Sequence, residues 1–202
     1  MFSGIVETVS PIQGILDSPG QRIFSIRTPR GWKPRLGESI AVDGVCSTVQ
    51  EVAQKIGARS FSVVYMAETL RRTTLGARAA RDKVNLERSL RLNSLIGGHL
   101  VQGHVDAVSR IISVRPAVRP EGEARIYRFA LAAAYARYVA AKGSVALDGA
   151  SLTVVDVKRS WFSVSLLAYT LSHTTLGRKG PGDSVNLEVD MLAKYVERLM
   201  RS

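Results

Sequence analysis

The sequence predicts an all-β fold of two small closed barrels in tandem, related by duplication, with one α-helix at the C-terminus. Three observations carry this. The first is an internal repeat. SIAVDGVCSTV (39–49) returns as SVALDGASLTV (144–154), TLRRTTLG (69–76) as TLSHTTLG (170–177), VNLE (84–87) as VNLE (185–188), and FSGIVETV from Phe2 as VQGHVDAV from Val101. The offsets stay between about 99 and 105 residues, far longer than the roughly 20–50-residue units of solenoids. This is a duplicated domain. The second is a run of short β-rich segments between Gly, Pro and Asp turns in each copy. The third is a terminal segment with helical rather than alternating periodicity.

In the first copy the strands are read at FSIRT (24–28), SIAV (39–42), FSVVY (61–65) and KVNLE (83–87). The second copy gives YRFALA (127–132), SVAL (144–147), LTVVDV (152–157), WFSVSLL (161–167) and SVNLEV (184–189). About six strands per copy favour closure, because a closed barrel leaves no strand edge unpaired. VDG and LDG follow a strand and read as tight turns, with Gly44 and Gly149 free to take positive φ. An Ala-rich stretch at 132–141, with Gly143 just beyond, predicts a short helix. At the end of the chain, Leu192, Tyr195, Val196, Leu199 and Met200 fall on one helical face. So short a helix must dock on something. Nothing matches it after Glu87, so it belongs to neither repeat, and self-association is the favoured use. The boundaries expected are 1–97 for the first barrel, 98–190 for the second and 191–202 for the oligomerisation helix.

Composition narrows the setting. Of 202 residues, 46% are hydrophobic and 22% charged, as in ordinary globular proteins. No run approaches the roughly 18 apolar residues of a membrane span, and the N-terminus lacks the basic-then-apolar pattern of a signal peptide. The single cysteine, Cys46, excludes an intramolecular disulfide, and a cytoplasmic location is expected. A net charge of +11 raises nucleic-acid binding. The basic stretches hold no interleaved aromatics and no nucleic-acid motif, so a solvated basic surface is the expectation and no nucleic-acid or membrane partner is assigned.

No metal centre, Ser-His-Asp order or phosphate loop is recognisable. What remains is a set of small polar residues at equivalent places in both copies: Cys46 with Ser151, Thr48 with Thr153, Thr69 with Thr170, and Asp43 with Asp148. In alternating strands Cys46 and Thr48 share one face, as do Ser151 and Thr153. The aspartates are read as turn residues. The hydroxyls and the thiol suit a planar heterocycle rich in carbonyl and imine groups. Cys46 against Ser151 is the informative mismatch, since a thiol is the more acidic and more nucleophilic group.

At these residues the chain resembles the riboflavin synthase family, the lumazine-dismutating enzymes. MFSGIVE, GESIAVDGVC, IGGHLVQGHVD, KGSVALDGASLTV and TTLG…VNLEVD occur in family order over essentially the whole chain. The resemblance implies two six-stranded Greek-key barrels, a homotrimer assembled by the C-terminal helix, and a possible lumazine synthase partner. It implies a transferase reaction that needs no cofactor and no metal. Two molecules of 6,7-dimethyl-8-ribityllumazine exchange a four-carbon unit to give riboflavin and 5-amino-6-ribitylamino-pyrimidinedione. Carried over by motif, one pocket comprises Gly4, Ile5, Val6, Cys46, Ser47, Thr48, Val64, Tyr65, Met66, Ala67, Glu68 and Thr69. The other comprises Gly103, His104, Val105, Lys142, Ser151, Leu152, Thr153, Leu167, Ala168, Tyr169, Thr170, Leu171 and Ser172. Cys46, Ser151, His104 and Asp190 are the implied polar catalytic groups, with Phe2 and Met1 closing the pocket and His99 behind. The centre is expected where one chain's first barrel faces a neighbour's second. Ser47 departs from the family's usual Leu, and Ala168-Tyr169 from its Pro followed by a polar residue.

Overall fold

A computed structural model describes residues 1–55, 58–117 and 124–200. The first copy contributes β1 (Thr8–Ser18), β2 (Gln21–Arg27), β3 (Ser39–Val42), β4 (Val45–Lys55), β5 (Ala58–Met66), α1 (Ala67–Arg72) and β6 (Lys83–Arg88). The second contributes β7 (Ala107–Pro116), β8 (Arg125–Ala130), β9 (Ser144–Leu147), β10 (Ala150–Lys158), β11 (Trp161–Leu166), α2 (Ala168–His173) and β12 (Ser184–Val189), before α3 (Met191–Leu199) closes the chain. Each set of six strands forms a closed antiparallel barrel with the same circular order: β1-β2-β5-β4-β3-β6, and β7-β8-β11-β10-β9-β12. Strands two and five of each barrel pair across the intervening hairpin, so the connections cross over in Greek-key fashion. Bulges recur at matching places, Ile12/Gly14 in β1 and Ile111/Ser113 in β7, and Val49/Glu51 in β4 and Val154/Asp156 in β10. An extra residue on one strand sharpens twist, which closing so small a barrel requires.

Period-2 burial fills each interior. Ile12, Phe24, Ile26, Val49, Phe61, Val63 and Leu86 pack the first barrel, and Ile111, Tyr127, Phe129, Val154, Phe162, Val164 and Leu187 the second. The strands expected from sequence all form, as does the terminal helix over its described residues; Arg201 and Ser202 lie outside them. The Ala-rich stretch forms a 3-10 turn, Ala133–Tyr138, not a regular helix. Two one-turn helices, α1 and α2, follow the fifth strand of each barrel, where no helical periodicity is readable in six residues. None of the helices among the described residues is long and apolar enough to cross a membrane.

The barrels meet around a pseudo-twofold axis between their β3–β4 and β9–β10 hairpins. Asp43 (φ 44) and Gly44 (φ 76), and Asp148 (φ 45) and Gly149 (φ 81), all take positive φ, the conformation of a two-residue type I′ hairpin. The turn reading of the aspartates therefore holds, but it understates them. Both are fully buried. Asp43 Oδ1 accepts from the Asn85 amide at 2.8 Å and Asp148 Oδ1 from the Asn186 amide at 2.8 Å. Arg78 donates to Asp43 Oδ2 at 2.7 Å, and the Lys179 ammonium pairs with Asp148 Oδ2. The asparagines then cross the interface. Asn85 Nδ2 donates to the Asp148 carbonyl and its Oδ1 accepts from the Thr175 amide; Asn186 Nδ2 donates to the Asp43 carbonyl and its Oδ1 accepts from the Thr74 amide. At the axis a Cβ on Gly44 would stand 2.6 Å from the Gly149 nitrogen, so only glycine permits this approach.

Helix α3 inverts the usual amphipathic arrangement. Its charged side is docked: Glu197 pairs with Arg137 at 2.8 Å and Lys194 with Asp106 at 2.8 Å. The predicted apolar face is exposed, with Leu192 at 58%, Tyr195 at 59% and Met200 at 82%.

Buried Asp43 gives a pH signature. Burial pushes the Asp43 carboxyl from the ordinary 3.8 up to about 6; the nearby Asp148 adds to the rise, while Arg78 and Lys179 oppose it. A carboxyl raised on folding holds its proton more tightly in the folded chain. Its stabilising contribution is complete below pH 3.8 and is lost as pH rises through about 6. Asp43→Asn removes that titration. Calorimetry of both proteins between about pH 4 and pH 7 is expected to show a shallower decline of Tm with rising pH in the variant, a difference of about 1–3 kcal/mol over the range. Parallel curves would mean that Asp43 stays ionised throughout.

Candidate functional site

Two equivalent half-sites flank the axis, on β4 and β10. Burial alternates along both strands: Val45, Ser47 and Val49 point into the first barrel while Cys46 and Thr48 face outward, and Leu152 and Val154 point into the second while Ser151 and Thr153 face outward. The expected shared faces of Cys46 with Thr48 and of Ser151 with Thr153 are therefore present. Val64 and Met66 at the end of β5, and Ala67, Glu68 and Thr69 on α1, continue the outward surface of the first half-site. Leu167, Ala168, Tyr169, Thr170 and Ser172 do so for the second. Tyr169 stacks on His173 with ring centroids 3.9 Å apart, and Ser172 Oγ donates back to the Ala168 carbonyl at 2.9 Å.

The structure corrects the pocket membership read from motif order. The segments that open each copy are exchanged between barrels. The Gly4 carbonyl accepts from the Ser151 amide at 2.7 Å, and a Cβ on Gly4 would lie 2.6 Å from Ser151 Cβ. Val6 packs on the second barrel's core. Reciprocally, the Gly103 carbonyl accepts from the Cys46 amide at 2.8 Å, and Val105 packs on the first barrel's core. Gly4, Ile5 and Val6 thus belong with Ser151, and Gly103, His104 and Val105 with Cys46. A linear motif order cannot reveal this exchange, because the pairing crosses from one copy to the other.

The carboxylates that hold these segments were hidden in the VNLE repeat. Glu87 accepts from the Ser3 and Gly4 amides at 2.7 and 3.1 Å, and Glu188 from the Gln102 and Gly103 amides at 2.8 and 3.0 Å. Burial raises the proton affinity of both, and the amide donors work against the rise. Such a carboxylate, facing two successive N–H groups, helps fix the backbone turn.

Further assignments change. Phe2 is fully buried between the barrels, packed with Ala41, Val101 and Ala146 against Cys46, and joined to Val101 by a reciprocal pair of backbone hydrogen bonds. It is wedged between the barrels and not exposed as a flap. Ser47, Tyr65 and Leu152 face barrel interiors, and Leu171 caps the second core. Ser47 donates to the Val45 carbonyl at 2.8 Å and receives the Tyr65 hydroxyl at 2.8 Å. The second copy has Leu152 and Leu166 in these places. The Ser47 departure is therefore a core exchange: where the second core holds two leucines, the first holds a smaller Ser beside a larger Tyr whose hydroxyl is satisfied. Burial drives the Tyr65 phenol far above its ordinary range, so it stays neutral.

The two half-sites differ chemically beyond Cys46 and Ser151. His99 Nδ1 lies 2.7 Å from Ser151 Oγ, while His99 Nε2 is buried without a hydrogen-bond partner among the described residues. Burial lowers the proton affinity of His99, and the Asp190 carboxylate opposes that shift. A neutral imidazole so placed can accept the Ser151 proton. Asp190 itself caps α3, accepting from the Leu192 amide at 2.9 Å. Gly98 packs onto Ser3 and Ser151 with no room for a side chain. Cys46, by contrast, is half-buried and has no such histidine hydrogen bond among the described residues. Lys142 takes φ 69 where the first copy has Gly37 at φ 77; Lys142 and Gly37 make the same backbone bond, to Val154 and Val49. Arg81 and Gly182 show the reverse exchange, so positive φ alone does not single out Lys142.

The fold and paired sites define a tandem lumazine-binding barrel. A model of the lumazine binding domain matches this chain twice, at residues 3–89 and 102–190. Riboflavin synthase of Mycobacterium tuberculosis (strain H37Rv) is 45% identical over the whole chain and 99% of the relative. That of Actinobacillus pleuropneumoniae is 38% identical, covering 99% of this chain and 90% of the relative. Among solved structures, LumP complexed with riboflavin superposes with a TM-score of 0.82 at 20% identity, over 94% of this chain and 99% of that one. LumP complexed with 6,7-dimethyl-8-(1'-D-ribityl) lumazine gives 0.78 at 18% identity over the same shares. The chain belongs to the riboflavin synthase family.

Because the chain has one thiol, the exchange of segments can be read from it. Gly103→Ala places a Cβ 2.7 Å from Cys46 Cβ on a backbone at φ +80, a cost of about 1–3 kcal/mol. It is expected to change the rate at which a disulfide reagent titrates Cys46. Gly4→Ala is expected to lower Tm comparably and leave that rate unchanged. The opposite pattern would return each glycine to its own barrel.

Proposed function

We propose that the chain is a riboflavin synthase, a transferase that takes two molecules of 6,7-dimethyl-8-ribityllumazine to riboflavin and 5-amino-6-ribitylamino-pyrimidinedione. The observation that carries the reading is the pair of equivalent but unequal half-sites, Cys46 in one and Ser151–His99 in the other. A reaction between two copies of one substrate needs two similar cradles, and it needs them to differ, because one molecule gives up the four-carbon unit and the other receives it.

The chemistry asks for little beyond placement. The lumazine 7-methyl group is acidic because its carbanion delocalises into the ring, so holding two rings face to face supplies most of the acceleration. The remaining help is proton transfer. Ser151, with His99 as its acceptor at 2.7 Å, is the group that handles protons or delivers a nucleophile in the second half-site. Cys46 and His104 serve the first, and Asp190 tunes His99. Thr48, Thr153, Met66, Leu167 and Lys142 supply the surrounding contacts.

Both half-sites lie on outer barrel surfaces, with Met66 at 59% and Leu167 at 63% exposure. Excluding water from stacked substrates therefore calls for a second chain. The exposed apolar face of α3 supports a homotrimer in which one chain's first barrel meets the next chain's second. A cytoplasmic setting and a lumazine synthase partner fit the same role. The second reading is a chromophore carrier that binds without turnover, favoured by the structural likeness to LumP.

One assay separates the two. Purified protein given 6,7-dimethyl-8-ribityllumazine is expected to produce riboflavin absorbance; a bound but unchanged ligand would leave only the carrier. His99→Ala and Ser151→Ala are each expected to lower kcat by about two orders of magnitude. Full turnover in Cys46→Ala, Ser151→Ala and His99→Ala alike would remove these groups from the mechanism.

A further inference from the structure

On the outer side of the first barrel, away from Cys46, lies a cleft of about 560 Å³ between the start of β1, the end of β2 and the β2–β3 connection. Three arginines line it, Arg27, Arg30 and Arg59, and none of its lining residues is acidic. None of the three makes an ion pair among the described residues. Thr28, at the cleft wall, has a buried hydroxyl with no hydrogen-bond partner among the described residues.

The second barrel serves as an internal control. Backbone bonds fix the equivalences. Ser10 Oγ donates to the Arg27 carbonyl and Ser109 Oγ to the Ala130 carbonyl. The Thr28 amide donates to Arg59 and the Leu131 amide to Ser160; the Trp32 amide donates to Pro29 and the Tyr135 amide to Ala132. Arg27, Thr28, Arg30 and Arg59 thus stand where the other copy has Ala130, Leu131, Ala133 and Ser160. The barrel closes equally well with neutral residues at these points, so closure does not call for the arginines. Leu131 also fills without a hydroxyl the place where Thr28 leaves one unsatisfied, and an orphaned buried hydroxyl costs stability unless something meets it.

We propose that this cleft is a binding site for a phosphorylated small molecule, its phosphate held by Arg27, Arg30 and Arg59 beside the Thr28 wall. Guanidinium forks match the several oxygens of a phosphate dianion, and three of them without carboxylate partners exceed what one carboxylate ligand needs. The volume lies in the range of about 300–1,000 Å³ typical of small-molecule sites. Nucleic acid fits less well. The charges line one concavity, and the one aromatic residue there is no stacking platform: Trp32 is 8% exposed and its ring lies under Arg88 at 4.8 Å. The site stands apart from the lumazine half-sites, so it holds or fails independently of the enzymatic reading.

Titration calorimetry of the full chain with inorganic pyrophosphate tests it. Saturable binding of one pyrophosphate per chain, weakening as salt rises, is expected. Arg27→Ala combined with Arg59→Ala is expected to weaken it about tenfold or more, and Arg30→Ala alone to weaken it less, with Tm showing that each variant is folded. Arg115→Ala combined with Arg125→Ala, a charge-matched change on the second barrel, is expected to leave affinity unaltered. No saturable binding, or equal loss in the two double variants, overturns the proposal. So does a single-stranded oligonucleotide that binds through the same arginines and is not displaced by pyrophosphate.

Discussion

The structure depends on a reciprocal clamp of two asparagines and two aspartates at the axis between the barrels. Each aspartate carboxylate is buried, and a buried charge is tolerated only when it is fully hydrogen-bonded and paired. Each finds its partners in its own barrel: an asparagine amide and one cation. The asparagine side chain then spends both its donor and its acceptor on the opposite barrel. Neither barrel can satisfy its own hairpin turn and its partner's Thr-Thr-Leu-Gly loop without the other being in register. The half-sites inherit their placement from this clamp, since Cys46 and Ser151 sit two residues beyond Gly44 and Gly149 on the clamped hairpins.

The exchange of opening segments follows from the same contact. With the hairpins side by side, the strand leading into each barrel passes the other barrel's fourth strand, and a glycine is needed where it passes. Glu87 and Glu188 then pin those segments to their own barrels while the glycines abut the opposite ones. Each half-site is therefore built from both copies. A change in one barrel is felt in the other's pocket, which is one physical reason for two binding domains to stay in one chain.

Duplication also exposes what each copy does alone, because shared features belong to the fold and differences call for separate explanations. Bulges, type I′ turns and the asparagine–aspartate clamp are shared. The Ser47–Tyr65 pair against Leu152–Leu166 is a repacking that leaves the outer surface alone. Ser151–His99 against Cys46 changes proton affinity at the site itself. Three arginines against two alanines and a serine change the charge of one outer cleft. Helix α3 has no counterpart, and its charged side is turned inward, so its apolar side is left for another surface.

The sequence by itself determined the duplication, the barrel class, nine of the twelve described strands, the terminal helix and the shared faces of Cys46 with Thr48 and of Ser151 with Thr153. These follow from local periodicity and turn chemistry, which act within a few residues. Only the tertiary structure decided that Gly4 serves Ser151 and Gly103 serves Cys46, that Phe2 is buried between barrels, that Tyr65 and Ser47 are core partners, and that Asp43 and Asp148 are buried interface charges as well as turn residues. Those facts join residues about 20 to 150 positions apart. No local spacing encodes them, because they arise where a barrel closes on itself, as for Ser47 with Tyr65, or where one copy packs on the other, and there shape and unsatisfied hydrogen bonds select the register.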